Sequence, residues 1–227
     1  MSKTTYYGKG EYTPNAKISN DLRKKTISTT KNEDLDMWYA TYYDSEFFIK
    51  CDGEEYLTNF YSKKNRYKSR FDEWFKDLNF NGNTHLDYGF STGKSLYWLT
   101  KRYNDIIIDS FDFNENCKNV IPYIKNLCPQ VRELTIQDSS KLNYSEETYD
   151  SITALDFYEH TPYEIMVESL KISYKILKKG GTMHLYVGKT TNPEHINLIS
   201  DSKTIELCES LGFKLKRNYK ELLTFTK

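Results

Sequence analysis

The chain has 227 residues, with 32 Lys and Arg balanced by 32 Asp and Glu, so its formal net charge is zero. That length makes one domain with appendages, and that balance lacks the basic field that draws nucleic acid or an anionic membrane. No apolar run approaches the ~20 residues needed to span a bilayer. Residues 1–20 are polar, unlike a signal peptide. Cys51, Cys117, Cys128 and Cys208 are scattered with no C-x-x-C pair, which argues against a structural metal site and for reduced, mostly buried thiols. The expectation is a cytoplasmic protein.

In chain order, residues 1–34 are polar and rich in Lys and Thr, and read as a loose arm or a lid. Residues 35–81 are aromatic-rich and read as a helical cap. Trp38 and Tyr42 are spaced for one helix, and a second short helix is expected near Glu54–Tyr61. Trp38, Tyr42, Tyr43 and Tyr67 are equally suited to a pocket wall or a core. Lys63, Lys64, Arg66, Lys68 and Arg70 then interleave with Tyr61 and Tyr67. They make either a phosphate-facing patch or, the commoner outcome, the solvated face of a helix running through Phe71, Trp74, Phe75 and Leu78. Asn81-Gly82-Asn83 is a turn, and a third unit covers residues 82–227.

That unit opens on a strand at Thr84, closed by Asp87. Gly89 and Gly93 bracket a turn, and a helix starts at Lys94 with Leu96, Tyr97, Leu99 and Tyr103 spaced for one buried face. Strand, glycine turn and helix are the opening of a nucleotide-binding βαβ unit. The glycines adopt dihedrals a side chain forbids and leave bare backbone for a ligand. The second strand is expected at Asp105–Asp109, buried on both faces. Asp112, 19 residues after Gly93, stands where a carboxylate accepts ribose hydroxyls, whereas Asp109 sits too early. A helix interrupted by Pro122 is expected over residues 114–127, and a third strand over Val131–Ile136. A fourth strand opens at Asp150. A helix over Tyr163–Leu177 is expected to end in a glycine cap at Lys178-Lys179-Gly180-Gly181, before a fifth strand at Thr182–Val187. Residues 191–200 are a loop carrying His195, Asp201–Leu211 a helix, and Phe213–Tyr219 with Glu221–Phe225 a closing hairpin. Alternating strands and helices make the fold class α/β, doubly wound.

The D-x-G-x-S-x-G run of Asp87, Gly89, Ser91 and Gly93 resembles the first motif of the class I S-adenosylmethionine methyltransferases, usually D-x-G-x-G-x-G. Ser91 stands at the middle glycine. Residues 148–160 resemble that family's fourth strand and exit, and Glu159-His160 matches the E-H pair of one large branch. L-K-K-G-G at 177–181 resembles its L-K-P-G-G, with Lys179 for Pro. The resemblance covers roughly residues 82–227. It implies a Rossmann-like, seven-stranded, mostly parallel sheet with one antiparallel strand in the edge region, under an N-terminal helical cap.

It implies S-adenosyl-L-methionine as cofactor and S-adenosyl-L-homocysteine as product. Asp87, Gly89, Ser91 and Gly93 would meet the methionine end, with Ala154 and Leu155 beneath it. Asp112 would take the ribose, Phe113 would pack on adenine, and Asp138 with Ser139 would meet the adenine amino group. The implied activity is methyl transfer to a small-molecule acceptor, O-methylation of a sugar or related metabolite being favoured. The alternatives are a nucleic-acid or protein acceptor and a catalytically silent binding domain. His160 and His195 are the candidate bases, since imidazole titrates near neutrality; His85 and His184 read as structural. No metal or membrane partner is expected, a nucleic-acid partner is disfavoured by the neutral charge, and the assembly is expected to be a monomer or homodimer.

Overall fold

A computed structural model describes residues 54–62, 66–76, 82–189, 195 and 197–227. The expected arm, the Trp38–Tyr42 helix, Tyr43, and the side chains of Arg66 and Tyr67 lie outside the described residues. Seven strands form one sheet: β1 Thr84–Tyr88, β2 Ile107–Asp112, β3 Val131–Ile136, β4 Tyr149–Leu155, β5 Leu177–Tyr186, β6 Lys214–Tyr219 and β7 Leu222–Thr226. Their order is β3-β2-β1-β4-β5-β7-β6. β1 to β5 run parallel, and β7 runs against both β5 and β6. The reversed strand therefore lies one place in from the edge, and β6 is the edge itself. A two-residue turn makes that hairpin: Lys220 and Glu221 both take positive φ, at 47° and 69°, the geometry whose twist matches paired strands.

The helices are α1 Glu54–Ser62, α2 Arg66–Phe75, α3 Lys94–Arg102, α4 Ile121–Leu127, α5 Tyr163–Ile176 and α6 Asp201–Ser210. They cover both faces of the sheet, so the central strands are buried along most of their length, polar residues such as His85, Asp87, Ser151 and Thr153 included. On one face Leu57, Phe71, Trp74 and Phe75 from α1 and α2 join Leu96, Trp98 and Ile124 from α3 and α4. On the other, Met166 and Leu170 of α5 and Cys208 of α6 pack on Leu86, Phe111, Ile152 and Leu185. α3 is buried more broadly than one stripe, including Trp98, because α1 and α2 close over it. Trp98 donates to Asp72 at 2.9 Å, and Tyr61 meets Tyr97 edge-on at 5.7 Å. Among the described residues no helix is long and apolar enough to cross a membrane.

Three sequence expectations are corrected. β2 starts at Ile107, not Asp105, and runs on to Asp112; Ile107 is exposed and Ile108 to Phe111 are buried. The shift follows from pairing Thr84 with Ile107, which leaves residues 103–106 as the return from α3. The helix expected over residues 114–127 is two elements. Asn114 caps a short 3₁₀ turn, Glu115–Asn119, and α4 begins afresh with Pro122 in its first turn, where a missing N–H costs nothing. Finally, α5 ends at Ile176 without a glycine cap. Leu177 is already extended and pairs with Tyr149. Gly180 (φ 76°) and Gly181 form instead an irregularity in β5 that takes up the register shift against β4. A Cβ on Gly181 would lie 2.9 Å from the Asp150 carbonyl oxygen. Lys178 leaves this bulge to pair with Asp150 at 2.9 Å.

Candidate functional site

Because β1 to β5 are parallel, their carboxyl ends lie along one edge of the sheet. The strand order changes direction between β1 and β4, and a crevice at such a switch point is where open α/β sheets take ligands. The turn leaving β1 is held tightly. Gly89 and Phe90 both donate to the Phe111 carbonyl, and Gly93 donates to that of Phe90. Gly89, Ser91 and Gly93 all have positive φ, at 79°, 43° and 82°. Ser91 thus adopts a conformation that favours glycine, which gives a physical reason for glycine at the middle position of the motif. A Cβ on Gly89 would lie 2.7 Å from the Phe157 ring, and one on Gly93 2.7 Å from Ile124. The bare backbone here admits Phe157 from the exit of β4 and lets α4 approach.

Asp87 lies inside the sheet, 1% exposed. It accepts hydrogen bonds from Ser95 at 2.7 Å and Thr153 at 2.6 Å, joining β1 to α3 and β4. Burial pushes its carboxyl up to about 7, against the pull of the two hydroxyls. The column continues through His85, which hydrogen-bonds to Thr153 at 2.9 Å and Ser151 at 2.7 Å. His184 meets Thr224 at 3.1 Å. Burial lowers both histidines to about 3, which favours the uncharged ring inside the sheet.

Asp112 ends β2 and faces the glycine turn. One carboxylate oxygen accepts from the Ser91 N–H at 2.8 Å and the other from the Asn114 N–H at 2.9 Å. Burial raises its pKa against these bonds. Asp109 is buried within β2, paired with Arg132 and accepting from the Tyr149 hydroxyl at 2.8 Å. It is committed to the fold, as its early position implies. Phe113 is partly buried beside the core under α3 and α4. Asp138 follows β3 and caps a 3₁₀ turn, Ser139–Lys141, accepting from the Ser140 N–H and hydroxyl, each at 2.8 Å. Ser139 is buried.

The exit of β4 carries features that sequence reading missed. Ala154 is fully buried and Leu155 partly so. The next residue, Asp156, takes φ 52° and forms an ion pair with Arg70 of α2. Arg70 also lies over the rings of Trp74 at 4.5 Å and Tyr186 at 4.7 Å. It belongs neither to a phosphate-facing patch nor to a solvated face. Lys68 is likewise engaged, with Asp72 at 2.7 Å. A 3₁₀ turn, Tyr158–His160, then buries Glu159 and His160. His195 comes from the segment after β5 and meets His160 edge-on, ring centroids 4.9 Å apart. The structure thus brings together the two histidines proposed as bases. Asp156 falls within residues 148–160, but its partner 86 residues away left no local signal.

No family model matches this sequence, and no curated protein does. Solved structures do match it in fold. An S-adenosylmethionine-dependent methyltransferase from Archaeoglobus fulgidus aligns over 74% of this chain and 80% of its own, with 17% identity and a TM-score of 0.54. Phosphoethanolamine N-methyltransferase 2 of Haemonchus contortus, in complex with S-adenosyl-L-methionine, aligns over 79% of this chain and 44% of its own, with 15% identity and a TM-score of 0.60. The [4+2]-cyclase SpnF aligns over 66% and 58%, with 17% identity and a TM-score of 0.57. The fold is that of the class I S-adenosylmethionine-dependent methyltransferases. The third similarity is a reminder that a fold does not by itself choose a reaction.

Proposed function

We propose that the protein transfers the methyl group of S-adenosyl-L-methionine to a small-molecule acceptor, with a hydroxyl of a sugar or related metabolite as the favoured nucleophile. The observation that carries this reading is Asp112 at the end of β2, its carboxylate turned onto the glycine turn at the switch point of the sheet. The acids that end β2 and follow β3, Asp112 and Asp138, suit the hydroxyls and amino group of a cationic nucleoside better than a pyrophosphate. In this reading Asp87, Gly89, Ser91 and Gly93 receive the methionine end, and Ala154 and Leu155 form its floor. Asp112 accepts the ribose hydroxyls, Phe113 packs on adenine, and Asp138 with Ser139 reads the amino group.

When bound, the cofactor supplies a methyl carbon activated by a sulfonium. The chain's own work is to align the acceptor oxygen behind that carbon, exclude water and receive the hydroxyl proton. His160 and His195 flank the exit of β4 and are the groups to receive it. A nucleic-acid acceptor is less well supported, because Lys68 and Arg70 of the basic stretch are engaged by Asp72 and Asp156.

The test is calorimetric titration of the full chain with S-adenosyl-L-homocysteine, beside an Asp112→Ala variant. Micromolar binding is expected, weakened at least about tenfold in the variant, or ~1.4 kcal/mol. No binding by the unaltered protein overturns the reading. Transfer of a labelled methyl to sugar acceptors then separates an enzyme from a silent domain.

A further inference from the structure

Glu159, His160 and His195 form a cluster that the methyl-donor residues do not explain. Each offers one donor atom, and the three atoms lie within 4.8 Å of one another. All three side chains are buried, at 0%, 8% and 5% exposure. No well-aligned side-chain donor among the described residues meets either carboxylate oxygen of Glu159, and only the Glu159 and Gly188 N–H groups bear on it as donors. A buried carboxyl in that state is costly, and in folded proteins it ordinarily has a donor or a cation. Arg70 is engaged by Asp156, whose own charge bears on Glu159.

Two further features keep space and geometry for the cluster. Gly188, just after β5, carries no side chain. A Cβ there would fall on the Glu159 carboxylate and within 2.9 Å of the His195 ring. The Asn197 N–H donates to the Glu159 carbonyl at 3.0 Å, which ties the segment bearing His195 to the turn bearing Glu159 and His160.

We propose that Glu159, His160 and His195 bind one divalent first-row transition ion through two imidazoles and one carboxylate. Two nitrogen donors favour Fe²⁺, Co²⁺ or Zn²⁺ over Mg²⁺ and Ca²⁺, which call for oxygen shells. Metal–ligand bonds of about 2.0–2.2 Å place donors roughly 3.4 Å apart, so binding draws these side chains together by about an ångström. Three protein ligands leave a coordination position open, as catalytic rather than structural sites do. The binding stands independently of the methyl-transfer reading, and its use rests on that reading. An acceptor hydroxyl at the open position gives its proton to water more readily. Its oxygen then takes the methyl, and sulfur keeps the electron pair of the broken bond. With the ion bound the two imidazoles are its ligands, and the ion takes over the role in proton release that they carry in the metal-free reading.

The test uses the chelator-treated full chain, titrated with Co²⁺ and followed by visible absorption, beside Glu159→Gln and His195→Gln. One equivalent is expected to bind with micromolar affinity, giving d–d bands without the thiolate charge-transfer band of a cysteine ligand, and to raise the melting temperature. Each variant is expected to bind at least about tenfold more weakly. Glu159→Gln is close to isosteric and removes a buried carboxyl, so its fold is retained; circular dichroism checks this, and His195→Gln gives a second reading. No saturable binding by the unaltered chain, a thiolate band, or binding unchanged in both variants overturns the proposal. Co²⁺ binding without S-adenosyl-L-homocysteine binding sinks the methyl-transfer reading alone, and the reverse result sinks the ion site alone.

Discussion

The carboxyl of Asp87 is tied to Ser95 and Thr153 inside the sheet, and burial lifts its pKa from the ordinary carboxylate range to about 7. Its consequence for stability has a definite sign. The folded state keeps a proton that the unfolded chain releases at lower pH. The stability tied to that proton is therefore complete below about pH 4 and is lost as pH rises through about 7. Asp87→Asn cannot ionise. Thermal melts across this range are expected to fall less steeply with pH in the variant than in the parent; equal slopes would refute the assignment. The aspartate itself stood out in the sequence as the acid before a glycine turn. Its raised pKa did not, because that comes from burial between β2 and β4, strands that only the fold brings to either side of β1.

The turn of residues 89–93 is the element on which strand, helix and neighbouring loop converge. Gly93 holds φ 82°, and a Cβ there would meet Ile124 at 2.7 and 2.9 Å. The left-handed conformation costs an L-residue ~1–2 kcal/mol, and forcing a packed neighbour aside adds ~1–3 kcal/mol. Gly93→Ala is expected to lose about 2–5 kcal/mol of unfolding free energy, measured by urea denaturation. A loss under about 0.5 kcal/mol would show that the turn relaxes freely. Other elements were legible less fully. Pro122 announced a break but not its kind, since a proline is tolerated in a helix's first turn and disruptive in its interior. Gly180 and Gly181 suited a helix cap locally, yet pairing between Leu177 and Tyr149 claims the chain first.

α2 links distant parts of the whole molecule. Trp74 donates to the Lys220 carbonyl at 2.9 Å in the final hairpin. Glu73 accepts from Tyr219 of the same hairpin, and Arg70 reaches Asp156 at the exit of β4. With both partners about one-fifth exposed, removing one leaves a partly desolvated charge. Arg70→Met is expected to cost about 1–3 kcal/mol, discounted from the buried case for solvent screening. Adding Asp156→Asn is expected to recover much of that loss. The coupling read from the double-mutant cycle checks the pair, and additive effects would show that it contributes nothing.

The sequence by itself determined the alternation of strands and helices, the glycine turn, the acid ending β2 and the closing hairpin with its reversed strand. These rest on short-range causes: hydrophobic period, positive φ and strand-end polarity act within a few residues of one another. Only the tertiary structure decided that Arg70 turns inward to Asp156, that Phe157 covers Gly89, and that Glu159 and His160 meet His195. Those contacts depend on the parallel register of β4 and β5, and on the crossovers that bring loops far apart in the chain to one edge of the sheet. Local residue patterns carry no record of such distances.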